Sequence, residues 1–496
     1  MPSTMISAET PIGLLVGLGA IAFVIIRFLI KSTRSPLSSL PGPWYSRFTR
    51  LSLKLHILTG RRMHYIHGLH QKYGSIVRIA PNEVAVADLE AFSQIHRIGS
   101  GFNKSIWYDS SRIGSENGGE PGVFSMRNAK DHAKRRRLFA RPFSNSALRR
   151  NWEDTVRATA ERAIAKVKSE ALQGEADVLK WWTLMATDVI AQLSFGDSFD
   201  MVGLGQKNHY IKALTSALMG SGISWELPWL ATVLRLIPHP SIQQVFNSNQ
   251  IIFEYGARAV SNLRQAGGSQ NLFSQMLAES EATEKQQLTD RSVRFEASNL
   301  IVAGSDTTAV TLTYLLWVVL KRPDLQRRLE EELDALQPSF QDEELEQLPL
   351  LNAVIEETLR LYGAAPGTLP RVVPEGGATL GGFFIPAQTE VCTQAFTLHR
   401  DENIFPDPLK FDETRFMHSQ TAPQKLAFHP FGAGSRVCLG IHLARMELRL
   451  ATALFFRECR GARLAASMTD DVMDMENHFL IAPRGHRCSV TLLTRS

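Results

Sequence analysis

Cysteine is scarce here: Cys392, Cys438, Cys459 and Cys488 are the only four in 496 residues. They are too few and too widely spaced for a disulfide framework, which excludes a small stapled secreted domain and points the bulk of the chain to a reducing compartment. Also missing are an internal repeat, a low-complexity segment and a recognisable flavin or dinucleotide domain. No interior linker appears, although the chain exceeds the roughly 250–300 residues at which single cores usually divide. Charge is nearly balanced, with 54 Lys and Arg against 49 Asp and Glu, a formal +5 and a pI near 9.0. That surplus suits an anionic membrane surface or an acidic protein partner. Nucleic acid is not expected: basic residues scatter, and the one dense run, Lys134-Arg135-Arg136-Arg137, has no interleaved aromatics. A hydrophobic fraction of 44% with 21% charged residues fits neither disorder nor a wholly intramembrane protein.

Near the start, positive charge is absent: no Lys or Arg precedes Arg27, against the pattern of a cleaved signal peptide. Every residue from Pro11 to Ile26 is apolar or glycine, and Phe28-Leu29-Ile30 prolongs the run to about 20 residues, enough to span a bilayer. A buried soluble helix is the alternative. Arg27, Lys31 and Arg34 beyond the run predict a cytoplasmic catalytic portion with the amino terminus in the lumen. Residues 1–31 are thus expected to be a membrane anchor and 32–43 a Pro-rich linker, stiffened by Leu40-Pro41-Gly42-Pro43. Residues 44–496 would form the catalytic domain.

Within that domain the fold class reads as mainly α with a small β region. Ser75–Ile79 and Glu83–Ala87 flank Pro81-Asn82 as a hairpin, and a second is expected over Phe383–Gln394, turning at Pro386-Ala387. A long helix is expected from the Thr289-Asp290 cap to Lys321-Arg322, before Pro323. At about 50 Å it would cross a whole domain. In its middle Ala303-Gly304-Ser305-Asp306-Thr307-Thr308 is a poor helix former between strongly apolar flanks. It reads either as a place where small residues pack or as one where the hydrogen-bond ladder opens.

Phe431-Gly432-Ala433-Gly434-Ser435-Arg436-Val437-Cys438-Leu439-Gly440 precedes the helical run Ile441–Phe456. Its glycines permit a tight loop, and a helix start lowers a thiol's pKa toward the thiolate that ligates iron. A small buried cysteine is the competing reading. Half a zinc site with His442 is another, without further ligands at the usual short spacing.

The segment matches Phe-x-x-Gly-x-Arg-x-Cys-x-Gly at every fixed position and so resembles the haem signature of the cytochrome P-450 superfamily. The resemblance implies the cytochrome P-450 fold and haem b, with Cys438 as axial iron ligand, Arg436 on a propionate and Phe431 near the sulfur. His132, Arg136 and Arg371 resemble the other propionate partners. Asp306 and Thr307 resemble the acid and hydroxyl that deliver the proton for O–O cleavage. Glu357 and Arg360 resemble a buried structural pair completed by Arg415, although Glu413-Thr414 stands where the family usually has Pro-Glu.

The implied protein is a microsomal-type monooxygenase, single-pass in the endoplasmic reticulum membrane. It would resemble fungal secondary-metabolism members, oxidise a lipophilic small molecule and take electrons from NADPH-cytochrome P-450 reductase. Lys134, Arg135 and Arg137 are the expected docking cations. Pocket walls are expected at Ile106–Phe124, Ala365–Leu369, the middle of the long helix and around Phe479. The competing functions are a reductase-independent haem-thiolate isomerase or dehydratase, and a non-catalytic haem-binding membrane protein. The intact Asp306-Thr307 pair argues against the isomerase.

Overall fold

A computed structural model describes residues 9–111, 121–247, 271–276 and 289–492. The first helix, α1 (Glu9–Thr33), matches the apolar run in the sequence. Its apolar side chains are exposed, from Leu14 at 67% to Ile30 at 46%. The proline-rich segment then packs down: the Arg78 amide donates to the Pro41 carbonyl at 2.8 Å. Gly42, at φ +151°, lies where a Cβ would run into the Arg78 carbonyl, so glycine is required for this close approach.

The expected first hairpin forms as β1 (Ile76–Ala80) and β2 (Glu83–Val86), antiparallel and closing at Ala80–Glu83. They belong to a five-stranded sheet with β3 (Asn103–Lys104), β4 (Thr368–Val372) and β7 (Glu390–Gln394), in the order β1-β2-β7-β4-β3. The expected second hairpin is wrong in its pairing. Phe383–Ile385 (β6) pairs with Ala378–Leu380 (β5), while β7 lies parallel to β2 and antiparallel to β4. Gly381 and Gly382 both have positive φ and make the tighter turn, one step earlier than Pro386. Register across the sheet sets Lys104 opposite Arg371.

Helices build the rest: α2 (Ala129–Ala140), α3 (Asn145–Gln173), α4 (Val178–Phe195), α5 (Asp290–Leu320), α6 (Pro349–Tyr362) and α7 (Ile441–Glu458). The central α5 starts at its expected cap, where Thr289 accepts the Ser292 amide at 3.1 Å. By length and composition Ser292–Leu320 is apolar enough to cross a membrane, but its apolar window is 72% buried in the fold. It is the core helix, with Tyr314 stacked on Tyr362 at 4.7 Å.

The helix runs unbroken through Ala303–Thr308 instead of opening its ladder. The Ser305 and Thr307 hydroxyls donate to the Ile301 and Ala303 carbonyls, both at 2.7 Å. At Gly304 a Cβ would press on Ile190 at 2.9 Å, so the glycine serves the close packing of α5 on α4. The expected structural triad comes together: Glu357 accepts from Arg360 at 2.7 Å through each oxygen, and Arg415 pairs with it at 3.4 Å. Glu413 turns away to Arg322 and Arg328, at 2.9 and 3.0 Å.

Candidate active site

The loop before α7 is closed by the Cys438 amide, which donates to the Phe431 carbonyl at 2.8 Å. Gly434, at φ +64°, lies against the His96 carbonyl where no Cβ fits. Phe431 is half-buried, with the Arg445 guanidinium 5.5 Å from its ring centroid. Cys438 sits deep among protein atoms, yet its side chain is accessible, so it faces an internal cavity. The expectation of a depressed thiol pKa is not met by the protein alone. Burial pushes the Cys438 thiol up, outweighing the Gly440 amide and the Arg136 guanidinium, which act downward. A coordinated metal ion deprotonates such a thiol outright.

Around this loop the expected cations converge. Arg136 on α2 donates to the Val437 carbonyl at 2.7 Å, tying its helix to the cysteine loop. Arg436 reaches the Met126 and Arg127 carbonyls at 2.8 and 3.0 Å. His132 and Arg371 are buried, and the Arg371 Nε has no hydrogen-bond partner. Lys104, which the sequence reading missed, joins them from β3: its buried Nζ donates to the Phe124 carbonyl at 2.5 Å.

Among the described residues none of Lys104, Arg136, Arg371 or Arg436 has a carboxylate partner. Burial and mutual repulsion push Arg436 down to about 10, His132 down to about 3 and Lys104 well below its ordinary value. Buried cations without an anion are costly. A ligand carrying two carboxylates at its rim resolves that cost through charge-assisted hydrogen bonds, and the propionates of haem meet this requirement.

On α5, Ala303 and Asp306 are exposed and Thr307 is half-buried, in a helix whose following turns are core. The next residue, Thr308, donates to Glu447 Oε2 at 2.8 Å, linking the Asp306-Thr307 turn to the helix behind the cysteine loop. Burial pushes the Glu447 carboxyl up to about 8, and its Oε1 has no partner. Sequence reasoning missed Glu447 too. The available signal was an acid on the apolar stripe of α7, in step with Leu443, Met446, Leu450 and Leu454.

Two expectations about the surroundings change. Arg135 is no docking residue: it is buried and paired with Glu296 at 2.9 Å, whereas Lys134 and Arg137 are exposed. Of the expected wall Ile106–Phe124, positions 112–120 lie outside the described residues.

A cavity-facing cysteine at a helix start, rimmed by buried and half-buried cations without a carboxylate partner among the described residues, suits one class of protein, the haem-thiolate proteins. The chain belongs to the cytochrome P450 family, which it matches over residues 41–490. It is 43% identical to Cytochrome P450 monooxygenase stcB of Emericella nidulans over 92% of this chain and 89% of that one. With Cytochrome P450 monooxygenase cypX of Dothistroma septosporum it shares 42% identity over 98% and 97%. With Methylphloroacetophenone oxidase of Cladonia uncialis it shares 33% over 76% and 85%. The protein is accordingly a monooxygenase that uses haem held through an axial cysteine thiolate. It takes electrons from a redox partner and acts on a small molecule.

Proposed function

We propose that Cys438 supplies that thiolate, with Phe431 packed beside the sulfur, and that Arg436, His132, Arg136, Arg371 and Lys104 hold the propionates. The carrying observation is a group of cations, Lys104 and Arg371 buried and Arg136 and Arg436 half-buried, that have no carboxylate partner among the described residues beside the one cavity-facing cysteine. Bound haem supplies the iron at which dioxygen is split and one oxygen atom is transferred to substrate. Asp306, exposed on α5, would draw protons from water, and Thr307 would hold them at its Oγ1.

The substrate in this reading is a lipophilic small molecule of secondary metabolism, hydroxylated or otherwise oxidised. One relative's name records methylphloroacetophenone as that protein's substrate, which supports lipophilic tailoring chemistry. Electrons would come from NADPH through NADPH-cytochrome P-450 reductase, docking at Lys134 and Arg137 on α2. The exposed apolar side chains of α1 support a single-pass anchor over residues 1–31 in the endoplasmic reticulum membrane. The 32–43 linker would follow and the 44–496 domain would face the cytoplasm.

Cys438→Ala should abolish the red-shifted band of the reduced, carbon monoxide-bound protein; retention of that band would overturn the ligand assignment. Charge reversal at Lys134 and Arg137 together should slow reduction severalfold and leave the haem spectrum unchanged. Unaltered reduction rates in stopped flow would remove the docking proposal alone.

A further inference from the structure

Four aromatic rings from three segments meet beside the buried cations. Trp107 and Tyr108 follow β3, and Phe124 precedes α2. Phe479 sits in the turn between β8 (Met475–Asn477) and β9 (Ile481–Pro483). Their centroids form a closed circuit: Trp107–Tyr108 5.1 Å, Tyr108–Phe124 5.4 Å, Phe124–Phe479 5.8 Å and Phe479–Trp107 5.7 Å. Three of these contacts are edge-to-face and the fourth is tilted by 34°. The Lys104 ammonium lies 4.2 Å from the Tyr108 centroid and 4.6 Å from that of Phe124. Lys104 pairs across the sheet with Arg371, so the circuit begins one side chain from the cations at the cavity.

The Phe479 turn is held firmly in place. Asn477 donates to the Phe479 carbonyl at 3.0 Å, and the Ile481 amide donates to the Ala364 carbonyl at 2.9 Å. Burial is graded around the circuit. Tyr108 is buried, Trp107 and Phe124 are half-buried, and Phe479 is 39% exposed. A cluster serving the core alone would bury all four rings. Here Trp107, Phe124 and Phe479 keep accessible area, and the circuit packs on Lys104, which the sheet register sets opposite Arg371.

Resting on the haem-thiolate reading above, we infer that the substrate is a flat aromatic ring system bound against Trp107, Phe124 and Phe479. A saturated ring finds only general apolar contact on such a wall. An aromatic one adds the stacked and edge-on attraction that rings of this spacing provide.

The test is a titration of the haem-loaded protein, read by its Soret band, with two colourless probes: flavone, which is flat and aromatic, and sclareol, which is saturated. Wild type should bind flavone about tenfold tighter than sclareol. Phe479→Leu and Trp107→Leu should each weaken flavone binding about three- to tenfold and leave sclareol within about twofold. Equal affinity of wild type for the two probes overturns the inference, as does an equal loss of both probes in either variant. Should one variant fail to load haem, the wild-type preference and the other variant decide. The reduced carbon monoxide band separates the two levels. If it is present without aromatic preference, only this inference falls; if wild type lacks it, the haem reading falls too.

Discussion

Two of the buried charge clusters in this protein are built on opposite plans. Around Glu357 every charge is answered: Arg360 takes both carboxylate oxygens at 2.7 Å and also donates to the His399, Pro408 and Lys410 carbonyls. Around the cysteine loop cations gather, and among the described residues the acceptors they reach are carbonyl oxygens. A finished network holds the fold by itself. A one-signed cluster with buried members is costly until a ligand of opposite charge completes it.

Breaking the finished cluster should have the largest effect. Glu357→Gln leaves Arg360 and Arg415 buried beside a neutral amide, at an expected cost of about 3–5 kcal/mol of stability. Urea unfolding should show it in the midpoint with an unchanged slope. An apolar replacement of both Glu357 and Arg360 should not restore stability, because three backbone carbonyls also lose their donor. Full recovery in that double variant would mean that the network is dispensable.

The incomplete cluster should answer with two signs. Arg371→Leu removes a buried cation that repels its neighbours, so the haem-free protein should become slightly more stable. In the haem-loaded protein the same change should delete the proposed charge-assisted hydrogen bond to a propionate, of about 1.5–3 kcal/mol. Haem transfer to an apo-globin acceptor should accelerate about ten- to a hundredfold. A variant that lost stability in both forms would place Arg371 with Glu357, as structure only.

How much of this contrast was legible in the sequence follows from how local each signal is. The cysteine loop, the Glu357–Arg360 pair and the caps of α5 are written within a few residues of themselves, and the structure holds them where periodicity and spacing set them. Lys104 matters only because strand register brings it opposite Arg371, a pairing between distant segments that no local pattern encodes. The same is true of β7, whose partners are β2 and β4 and not its neighbour in sequence. Arg135 was misread for a different reason. A run of four basic residues looks like a solvated face, yet Leu138 and Phe139, three and four residues on, mark Arg135 as lying on the buried one.

The smallest expected effect concerns a third arrangement, buried groups kept neutral. His429 packs on Phe92 at 4.2 Å, and its amide donates to His399 Nε2 at 3.1 Å. Burial lowers the His429 pKa to about 4 against an ordinary 6.5. Because the folded-state value is depressed, the unfolded chain binds the proton first. Stability therefore falls as pH drops below 6.5, and the loss levels off near the folded value of about 4. For this single group the loss is about 1 kcal/mol between roughly pH 6.5 and 5.5. His399, also lowered well below its ordinary value by burial, adds to the slope in the same direction. Thermal unfolding midpoints across that window should decline in wild type and decline less in His429→Gln. Parallel curves would show that acid acts elsewhere, and the one-signed cluster around Arg371 would become the next place to look.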